Sequence, residues 1–167
     1  MLNGFSISLL EKNHDRKSFC CEIDSLDSYF HNQAGQDSRK QISVTYVLYD
    51  QKLNKVAGYY TLSATTIELS ALPEILAKKL PAYPYLPATL IGRLAIDVNY
   101  KKQGLGEILL IDALKRAHRA SLEVASLAIV VDAINSDAEK FYKKYGFSDL
   151  SKSRHQLFLP MQVMAKL

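Results

Sequence analysis

The residues whose types and spacing best suit chemistry lie in the stretch 91–113, which combines an apolar segment, a basic pair and two glycines. The apolar run at residues 90–97 predicts a buried strand, and the apolar spacing from Leu105 onwards predicts a long helix. Gly104 and Gly106 stand where the two meet. The first N–H groups of a helix lack intrahelical partners, the helix dipole adds positive charge there, and glycine allows a phosphate to approach closely. The sequence therefore predicts an anion site at the start of this helix.

The residues around these glycines exclude two common phosphate-binding patterns. The dinucleotide fingerprint Gly-x-Gly-x-x-Gly needs a third glycine where Leu109 stands, and the P-loop needs a Gly-Lys-Ser/Thr sequence that does not follow. A Gly-x-Gly pair alone is weak support for any site. The combination is more specific: a strand, Lys-x-x-Gly-x-Gly, a helix, a strand, and a later helix that starts near Asn135 and carries an aromatic cluster.

At these residues the chain resembles the GNAT family of acetyl-coenzyme A-dependent N-acetyltransferases. Three stretches carry the resemblance: residues 94–96 on the predicted fourth strand, residues 101–106 in the glycine loop, and residues 135–147 on the later helix. The family usually has Arg or Gln at the first loop position, and Lys101 keeps a positive charge there. The resemblance implies an acyltransferase with one α/β domain over residues 1–167. It also implies a mixed central sheet, with splayed fourth and fifth strands, flanked by helices.

The resemblance assigns a donor, acetyl-coenzyme A, to the glycine loop and its surroundings. Backbone N–H groups of residues 103–107 are expected to bind the pyrophosphate, and Lys101 and Lys102 to add charge at the 3′-phosphate or the rim. Backbone groups near Ala95 are expected to face the pantetheine arm and the thioester carbonyl, where one N–H would stabilise the oxyanion. The residues expected to contact the coenzyme are Leu94, Ala95, Ile96, Lys101, Lys102, Gln103, Gly104, Leu105, Gly106, Glu107, Asn135, Ala138, Phe141 and Tyr145.

Tyr142 is the residue expected to act as an acid. A phenol, with an ordinary pKa of about 10, can protonate the departing thiolate of coenzyme A, whose pKa is ~8.5. By spacing alone Tyr142 is more typical of a core position, because Phe141, Tyr142 and Tyr145 lie on one helical repeat. The resemblance favours the catalytic interpretation. Asn135 also has two interpretations, a hydrogen bond to pantetheine and a helix cap.

No side chain stands out as a general base. A lysine amine, with a pKa of about 10.4, needs help to lose its proton, whereas an α-amine with a pKa of ~8 is partly free at neutral pH. A site without a strong base therefore favours an α-amino group, or a similarly acidic amine, as acceptor. Asp97, Glu68 and a chain of waters remain alternatives for the base.

Within this family, the chain is most similar to the toxins of bacterial toxin–antitoxin pairs that acetylate aminoacyl-tRNA. The similarity extends over nearly the full length, including residues 19–21, 26–30, 34–37, 45–47, 56–63, 91–97 and 157–161. It implies acetylation of the free amino group of aminoacyl-tRNA, which blocks translation. It also implies a homodimer and a ribbon-helix-helix antitoxin. That antitoxin neutralises the enzyme, forms a repressor complex with it, and alone supplies the contact with DNA.

Basic side chains outside the glycine loop are candidates for contact with tRNA phosphates, which would make binding salt-dependent. They are Arg39, Lys40, Lys78, Lys79 and Arg93. Each is also an ordinary solvated cation when taken alone. Two other functions stay open: a GNAT enzyme acting on a small-molecule or protein amine, and a non-enzymatic module that senses acetyl-coenzyme A.

Composition sets the broad class of the protein. The chain has 167 residues, of which 48% are hydrophobic and 23% charged, with a net charge of +4, as expected for one soluble globular domain. It has no apolar run long enough to span a membrane and no signal-peptide pattern at the start, so cytoplasmic residence is expected. The adjacent Cys20 and Cys21, with four scattered histidines, do not predict a zinc site, and no metal is expected.

Hydrophobic periodicity predicts the element order β-α-β-β-α-β-α-β-α-β. Three boundaries are specific: a helix capped by Asp24 that continues past Gly35, an extended connector at residues 81–87, and a final strand at residues 157–164. Gly35 is interpreted either as a close approach to a ligand or as a weak turn. Gly58 is interpreted as a bulge or as a packing accommodation.

Overall fold

The computed structural model describes residues 3–150 and 155–166. Its strands are β1 (Phe5–Leu9), β2 (Val44–Asp50), β3 (Lys55–Glu68), β4 (Tyr85–Ile96), β5 (Ala128–Asp132), β6 (Ser148–Asp149) and β7 (Gln156–Pro160). Its helices are α1 (Asp24–Asn32), α2 (Ala34–Arg39), α3 (Glu74–Ala77), α4 (Leu105–Ser121), α5 (Ser136–Lys144) and α6 (Met161–Met164). Short 3₁₀ turns, Leu69–Ala71 and Val98–Tyr100, precede α3 and α4.

The strands form a seven-stranded mixed sheet in the order β1-β2-β3-β4-β5-β7-β6. The β4–β5 pair is parallel, whereas the β1–β2, β2–β3, β5–β7 and β6–β7 pairs are antiparallel. A parallel neighbour needs a long crossover connection, which α4 supplies between β4 and β5. The predicted α/β class, a mixed sheet flanked by helices, is confirmed.

Strands β4 and β5 are paired over only a short distance. Residues 89–91 pair with residues 129–131, and β4 then continues to Ile96. In the registers of the described chain, residues 92–96 have no partner on β5. Their backbone groups on that side are left for other partners, as the expected splay of the fourth and fifth strands requires.

The described chain forms two compact units. One contains the residues up to Ser63 together with Gly92–Ala113, and the other contains Ala64–Ile91 together with the residues from Leu114 onwards. A single domain over residues 1–167 stays a prediction. It requires that both units unfold in one calorimetric transition.

The core of the first unit is aromatic. The Phe30 ring stacks on the Tyr59 ring with centroids 4.5 Å apart, and the Phe19 ring packs edge-on against both, at 5.0 and 5.4 Å. All three side chains are buried. The Tyr59 hydroxyl donates to the Leu26 carbonyl at 2.7 Å, so the polar end of this ring is satisfied inside the core. These contacts fix α1 against β3.

The core of the second unit is mainly aliphatic. Its buried members include Ile67, Leu72, Leu86, Val130 and Phe158. Val130 and Phe158 are opposite each other in the β5–β7 ladder. Strand β5 is buried from residue 128 to residue 131, as expected for a strand covered on both faces.

The start of α1 differs from its predicted form. Asp24 is the first helical residue rather than the cap, and Ile23 occupies the cap position without a side-chain bond. The helix start is tied instead by Asp27, whose carboxylate accepts the Cys21 N–H at 2.8 Å. The continuous helix predicted to run past Gly35 is also wrong, because α1 ends at Asn32 and Gln33, with a φ of −119°, separates it from α2.

Two boundaries near prolines also differ from prediction. The connector predicted at residues 81–87 ends earlier, because β4 begins at Tyr85. Pro87 lies inside this strand, where its carbonyl accepts the Leu127 N–H at 2.8 Å. The predicted final strand is wrong beyond Pro160, since β7 ends there and residues 161–164 form α6. Proline has no N–H for a ladder, and its fixed φ suits the start of a helix.

Gly58 lies at a β-bulge and also at a close contact, so both of its interpretations are confirmed. The β2–β3 register shifts between Leu48 and Tyr49, next to the Leu48–Gly58 pair. A Cβ on Gly58 would lie 2.7 Å from Ile96 Cδ1 and 2.9 Å from the Ala95 carbonyl oxygen. Strand β4 therefore approaches β3 more closely here than any side chain would allow.

Gly58→Ala is expected to lower the free energy of unfolding by about 1–3 kcal/mol, because the added methyl group overpacks this contact. The Ala95 carbonyl oxygen belongs to the backbone and can move only if β4 shifts. Urea unfolding followed by circular dichroism measures the change. A midpoint equal to that of the unchanged protein, at the same slope, would show that the strands separate freely at this point.

Buried tyrosines predict a loss of stability at alkaline pH. Burial raises the pKa of Tyr29, Tyr59, Tyr100 and Tyr142 above the ordinary value of 10, in Tyr100 to about 12. Because the folded state holds these phenols neutral, their contribution to stability is complete below about pH 10 and is lost as the pH rises through the raised values. The free energy of unfolding is expected to fall above that pH, and tyrosinate absorbance to show a late group that titrates with unfolding. The expectation fails if every tyrosine titrates near its ordinary pKa in a protein that stays folded.

Candidate active site

Strand β4 leads into the glycine loop through a turn that Asp97 fixes. Its Oδ1 accepts the Asn99 N–H at 2.8 Å, and its Oδ2 accepts the Cys20 N–H at 3.0 Å. The Val98 N–H donates in return to the Cys20 carbonyl at 2.8 Å. Asp97 is buried, with 5% of its surface exposed. Both carboxylate oxygens therefore join the loop to the N-terminal segment, which gives no support to Asp97 as a general base.

The side chains that follow this turn are also held by the protein. The Tyr100 hydroxyl donates to the Asp50 carboxylate at 2.7 Å, and burial together with this bond raises the Tyr100 pKa to about 12. Lys101 donates its Nζ to the Cys21 carbonyl at 3.2 Å, so its ammonium group contacts the N-terminal segment. Lys102 is exposed, as a charge at the rim of a phosphate site must be.

The glycine loop passes twice through left-handed backbone conformations before α4 begins. Lys102 has a φ of +63° and Gly104 a φ of +74°. The Gly104 carbonyl accepts the Ile108 N–H at 3.4 Å, which is the first bond of the helical ladder. The N–H groups of residues 105–107 precede that bond and have no partner within the helix.

The space beside Gly104 is open. A Cβ built on this residue would meet no atom of the described chain within 4 Å. A helix start with unpartnered N–H groups and the positive end of the helix dipole binds anions, and open space is what a diphosphate needs to reach it. The structure thus brings residues 103–107, all predicted to bind pyrophosphate, together at one point beside Lys102.

The strand segment predicted to bind the acyl group lies just before this loop, in the same unit. Ala95 is buried in the aromatic core, whereas Leu94 and Ile96 are half-buried on the opposite face of the strand. None of the three side chains is polar. The polar groups that this segment offers are therefore backbone N–H and C=O groups, which are unpaired on the β5 side in the described registers.

In the second unit, Asn135 caps helix α5. Its Oδ1 accepts the Ala138 N–H at 2.8 Å, which satisfies a donor that the helix cannot. The capping interpretation of Asn135 is confirmed. Contact between Asn135 or Ala138 and pantetheine stays a prediction.

The other end of α5 is closed by a Schellman motif. Gly146 has a φ of +95°, and its N–H donates to the Lys143 carbonyl at 3.1 Å. The Phe147 N–H donates to the Tyr142 carbonyl at 3.3 Å, and the Phe147 and Tyr142 rings pack with centroids 5.5 Å apart. The motif needs a left-handed residue, which explains the glycine, and it fixes the backbone and the ring of Tyr142 together.

Tyr142 is buried, with 4% of its surface exposed. Its ring also contacts Phe141 at 5.3 Å, and Phe141 contacts the Tyr145 ring at 5.2 Å, so the three rings form one cluster. Burial raises the pKa of Tyr142, and the charge of Asp132 raises it further. The phenol is therefore protonated throughout the neutral range, as a general acid must be. The core and catalytic interpretations of this residue are compatible, because the packing that makes it a core aromatic also keeps its proton.

Three of the cations predicted to contact tRNA lie in the first unit. The Arg93 guanidinium lies over the Tyr29 ring, with its Cζ 3.4 Å from the ring centroid. Arg39 and Lys40 are exposed at the end of α2. A cation stacked on an aromatic face is restricted in direction, so Arg93 is better positioned for a specific contact than the two exposed side chains.

The other two predicted tRNA cations lie in the second unit, near α3. Lys78 pairs with Glu74 at 3.4 Å, and both side chains are largely exposed, so the pair contributes little to stability. Lys79 lines a cavity of about 160 Å³ whose other walls, including Leu76 and Phe158, are mostly apolar. Contact between these five cations and tRNA stays a prediction.

Arg16 is a basic residue that the sequence did not mark. It precedes α1 in an irregular segment, yet its Nη1 lies 2.6 Å from the position that a Cβ of Gly35 would take. The one feature of the sequence that indicated this contact was Gly35, because a glycine allows a close approach. Because Gly35 lies inside α2, its weak-turn interpretation is wrong, and the close approach is made by a side chain of the protein.

In residues 3–150 and 155–166, no helix is long and apolar enough to cross a membrane. That part of the chain also has no group of three or more His, Cys, Asp or Glu side chains placed to hold a metal ion. Cys20 is exposed and Cys21 buried, both as free thiols, and burial raises the pKa of Cys21 to about 12.

The family comparison concerns the half of the chain that holds the loop. A family model described as an acetyltransferase (GNAT) domain matches residues 87–167, which include the glycine loop, α4 and α5. A curated relative, the probable toxin TacT of Sinorhizobium fredii (strain NBRC 101917 / NGR234), is 28% identical over 161 residues. The match covers 92% of this chain and 89% of TacT.

Two solved structures match nearly the whole chain. The toxin AtaT complexed with acetyl-methionyl-tRNAfMet is 30% identical, with a TM-score of 0.90, over 97% of this chain and 98% of AtaT. A variant of AtaT bound to the C-terminus of the antitoxin AtaR and to acetyl-CoA is 27% identical, with a TM-score of 0.82, over 98% of this chain and 97% of that one. The likeness in sequence and fold therefore extends far beyond the glycine loop.

Proposed function

This chain belongs to the GNAT family of acetyltransferases, and on that premise we propose that it is the toxin of a type II toxin–antitoxin pair. It transfers the acetyl group of acetyl-coenzyme A to the free amino group of an aminoacyl-tRNA and so blocks translation. The observation that carries this function is the start of α4, where N–H groups without a partner in the helix lie beside the open space at Gly104. The likeness to a toxin solved with acetyl-methionyl-tRNAfMet supports the choice of acceptor.

Residues of the first unit hold the donor in this proposal. The N–H groups of residues 103–107 donate to the pyrophosphate, and Lys101 and Lys102 add positive charge beside it. Lys101 adds this charge either while it donates to the Cys21 carbonyl or after that hydrogen bond has broken. The backbone of residues 94–96, unpaired on the β5 side, bonds the pantetheine arm, and one of its N–H groups stabilises the oxyanion.

Tyr142 supplies the proton in the transfer step. Attack by the amine forms an N–C bond and breaks the C–S bond, which leaves a thiolate of pKa ~8.5. The Tyr142 phenol, kept protonated by burial, donates to that sulfur, and the amine loses its own proton to solvent. Phe141 and Tyr145, which form one ring cluster with Tyr142, also contact the coenzyme. Asn135 and Ala138 contact it at the start of α5.

The acceptor amine follows from the shortage of bases. Asp97 uses both carboxylate oxygens to accept backbone N–H groups, which gives no support to it as a base. An α-amine, with a pKa of ~8, is partly deprotonated without help at neutral pH, whereas a lysine amine at about 10.4 is not. The site therefore suits the α-amine of an aminoacyl-tRNA better than a protein lysine.

We propose the partners and location that accompany this activity. Arg39, Lys40, Lys78, Lys79 and Arg93 contact tRNA phosphates, and two copies of the chain form a homodimer in the cytoplasm. A ribbon-helix-helix antitoxin neutralises the enzyme and binds DNA, so the chain meets DNA only through the antitoxin complex. The likeness to a toxin solved with the C-terminus of its antitoxin supports such a partner.

Incubation with labelled acetyl-coenzyme A and total tRNA tests the function. The charged tRNA is expected to take up label, and matched tRNA stripped of its amino acids is expected to take up none. Release of the amino acid by mild base identifies the specificity. Label that appears on a small amine or on protein, with charged tRNA unlabelled, would establish the alternative acceptor class. No turnover with any amine would leave only a module that senses acetyl-coenzyme A.

A further inference from the structure

We propose that Arg16 and Arg39 form a clamp for one phosphate group of the tRNA backbone, with Gly35 between them. The pair is called the Arg16–Arg39 clamp below. Its ligand rests on the proposed function, because a nucleic acid substrate supplies the phosphate. Its geometry does not depend on that function.

The two guanidinium groups converge on one point of α2. The Nη1 atoms of Arg16 and Arg39 lie 2.6 and 3.4 Å from the position that a Cβ of Gly35 would take. Two N–H donors placed this closely can both reach the oxygens of a single tetrahedral anion. Any residue other than glycine would put a carbon atom where the Arg16 group now lies, so Gly35 makes the convergence possible.

Neither cation is neutralised by the protein. Across the described ranges 3–150 and 155–166, neither guanidinium group forms an ion pair with a carboxylate. The acidic residue of α2, Asp37, is turned inward, where its two oxygens accept from the Tyr29 hydroxyl and the Gln33 amide at 2.8 Å each. Two like charges held close together repel, and an anion bound between them removes that repulsion.

The surroundings favour a nucleic acid phosphate as this anion. Arg39 is exposed and Arg16 half-buried, so a large ligand can reach the pair. Lys40 follows on the same surface, and Arg93 lies over Tyr29, the residue that holds Asp37. The planar guanidinium group matches phosphate oxygens, and several separated cations match the repeating phosphates of a strand better than one carboxylate.

Gly35→Ala tests the clamp without changing any charge. The new methyl group displaces the end of the Arg16 side chain, while α2 gains a better helix former, so the fold is not weakened. Loss of one phosphate contact is expected to weaken binding of deacylated tRNA about fivefold at physiological salt and to lower the slope of log K against log salt by about one. The double variant Arg16→Ala/Arg39→Ala is expected to lower that slope by about one as well, because the two arginines share one phosphate group. The KM for acetyl-coenzyme A is expected to stay unchanged in both.

Arg119→Ala is the matched control, because it removes an exposed arginine charge from the other unit. An equal loss of slope in this control would mean that only total charge matters, and would overturn the clamp. The clamp would also be overturned if the double variant kept the salt slope of the unchanged protein. If the double variant instead loses affinity for the antitoxin and keeps its tRNA slope, the ligand is a carboxylate of a protein partner and the proposal is wrong. Deacylated tRNA reports the clamp, whereas acetylation of charged tRNA reports the proposed function, so the two can fail separately.

Discussion

Tyr142→Phe is expected to lower kcat for acetyl transfer roughly 100- to 10,000-fold, with little change in affinity for acetyl-coenzyme A. The substitution removes the proton that the thiolate needs and keeps the ring that packs against Phe141 and Phe147. The Schellman motif at the end of α5 uses only backbone groups of Tyr142, so it survives the change. Steady-state kinetics with labelled acetyl-coenzyme A, together with calorimetric binding of the donor, measure the two effects separately.

Tyr49→Phe is the matched control for this result, because it removes an exposed hydroxyl that donates to Asn54 at 3.3 Å. It is expected to leave kcat unchanged. A loss of less than tenfold in Tyr142→Phe would show that the thiolate leaves without an acid. Because burial raises the pKa of Tyr142, ionisation of this phenol cannot lower the rate below about pH 10. The rate of the unchanged enzyme is instead expected to rise with pH up to about 8, as the α-amine of the acceptor loses its proton.

Gly104→Asp is expected to raise the Kd for acetyl-coenzyme A about 30-fold, which corresponds to ~2 kcal/mol of like-charge repulsion reduced by solvent at an exposed site. The carboxylate would stand in the open space at the start of α4, where the pyrophosphate is proposed to bind. The fold is expected to persist, because the position has a φ of +74°, which Asp tolerates, and Asp is a favourable helix cap. Isothermal titration of acetyl-coenzyme A measures the change.

Gly104→Asn separates charge from shape in this prediction. Asn has nearly the same size and the same tolerance of left-handed backbone, but no charge. It is expected to change the Kd several-fold less than Asp does. The difference between the two variants is expected to shrink at high salt, since an exposed charge is screened. Equal effects of Asp and Asn at low salt would mean that no anion binds beside Gly104.

The features that the sequence predicted are those encoded by neighbouring residues. The glycine loop is one, because the end of β4, the left-handed Gly104 and the start of α4 follow each other directly. The closure of α5 is also encoded locally, because Gly146 stands next to the residues that it caps. The capping role of Asn135, one of its two predicted roles, is local too, because its partner Ala138 is three residues away.

The features that the sequence did not predict depend on residues far apart in the chain. Asp97 was considered as a base, but its carboxylate accepts the N–H of Cys20, 77 positions away. Arg16 contacts Gly35 although α1 lies between them in the sequence, and no local pattern marks a residue in an irregular segment. The start of β4 was missed at Tyr85 because prolines nearby are typical of a connector. Tertiary bonding, here the Pro87 carbonyl to the Leu127 N–H, outweighed that local preference.

The strand order of the sheet has a consequence for the moment at which this enzyme becomes competent during its own synthesis. Strand β7 is made after β5 and β6, yet it lies between them. Until it emerges, β5 lacks the antiparallel partner that pairs with it from Ala128 to Asp132. Helix α5, which carries Tyr142, then connects β5 to β6 before β7 has joined these two strands. Chains grow at about 5–20 residues per second, and a segment pairs only after it has left the ribosome. An enzyme proposed to act on charged tRNA thus lacks this part of its sheet until β7 has left the ribosome.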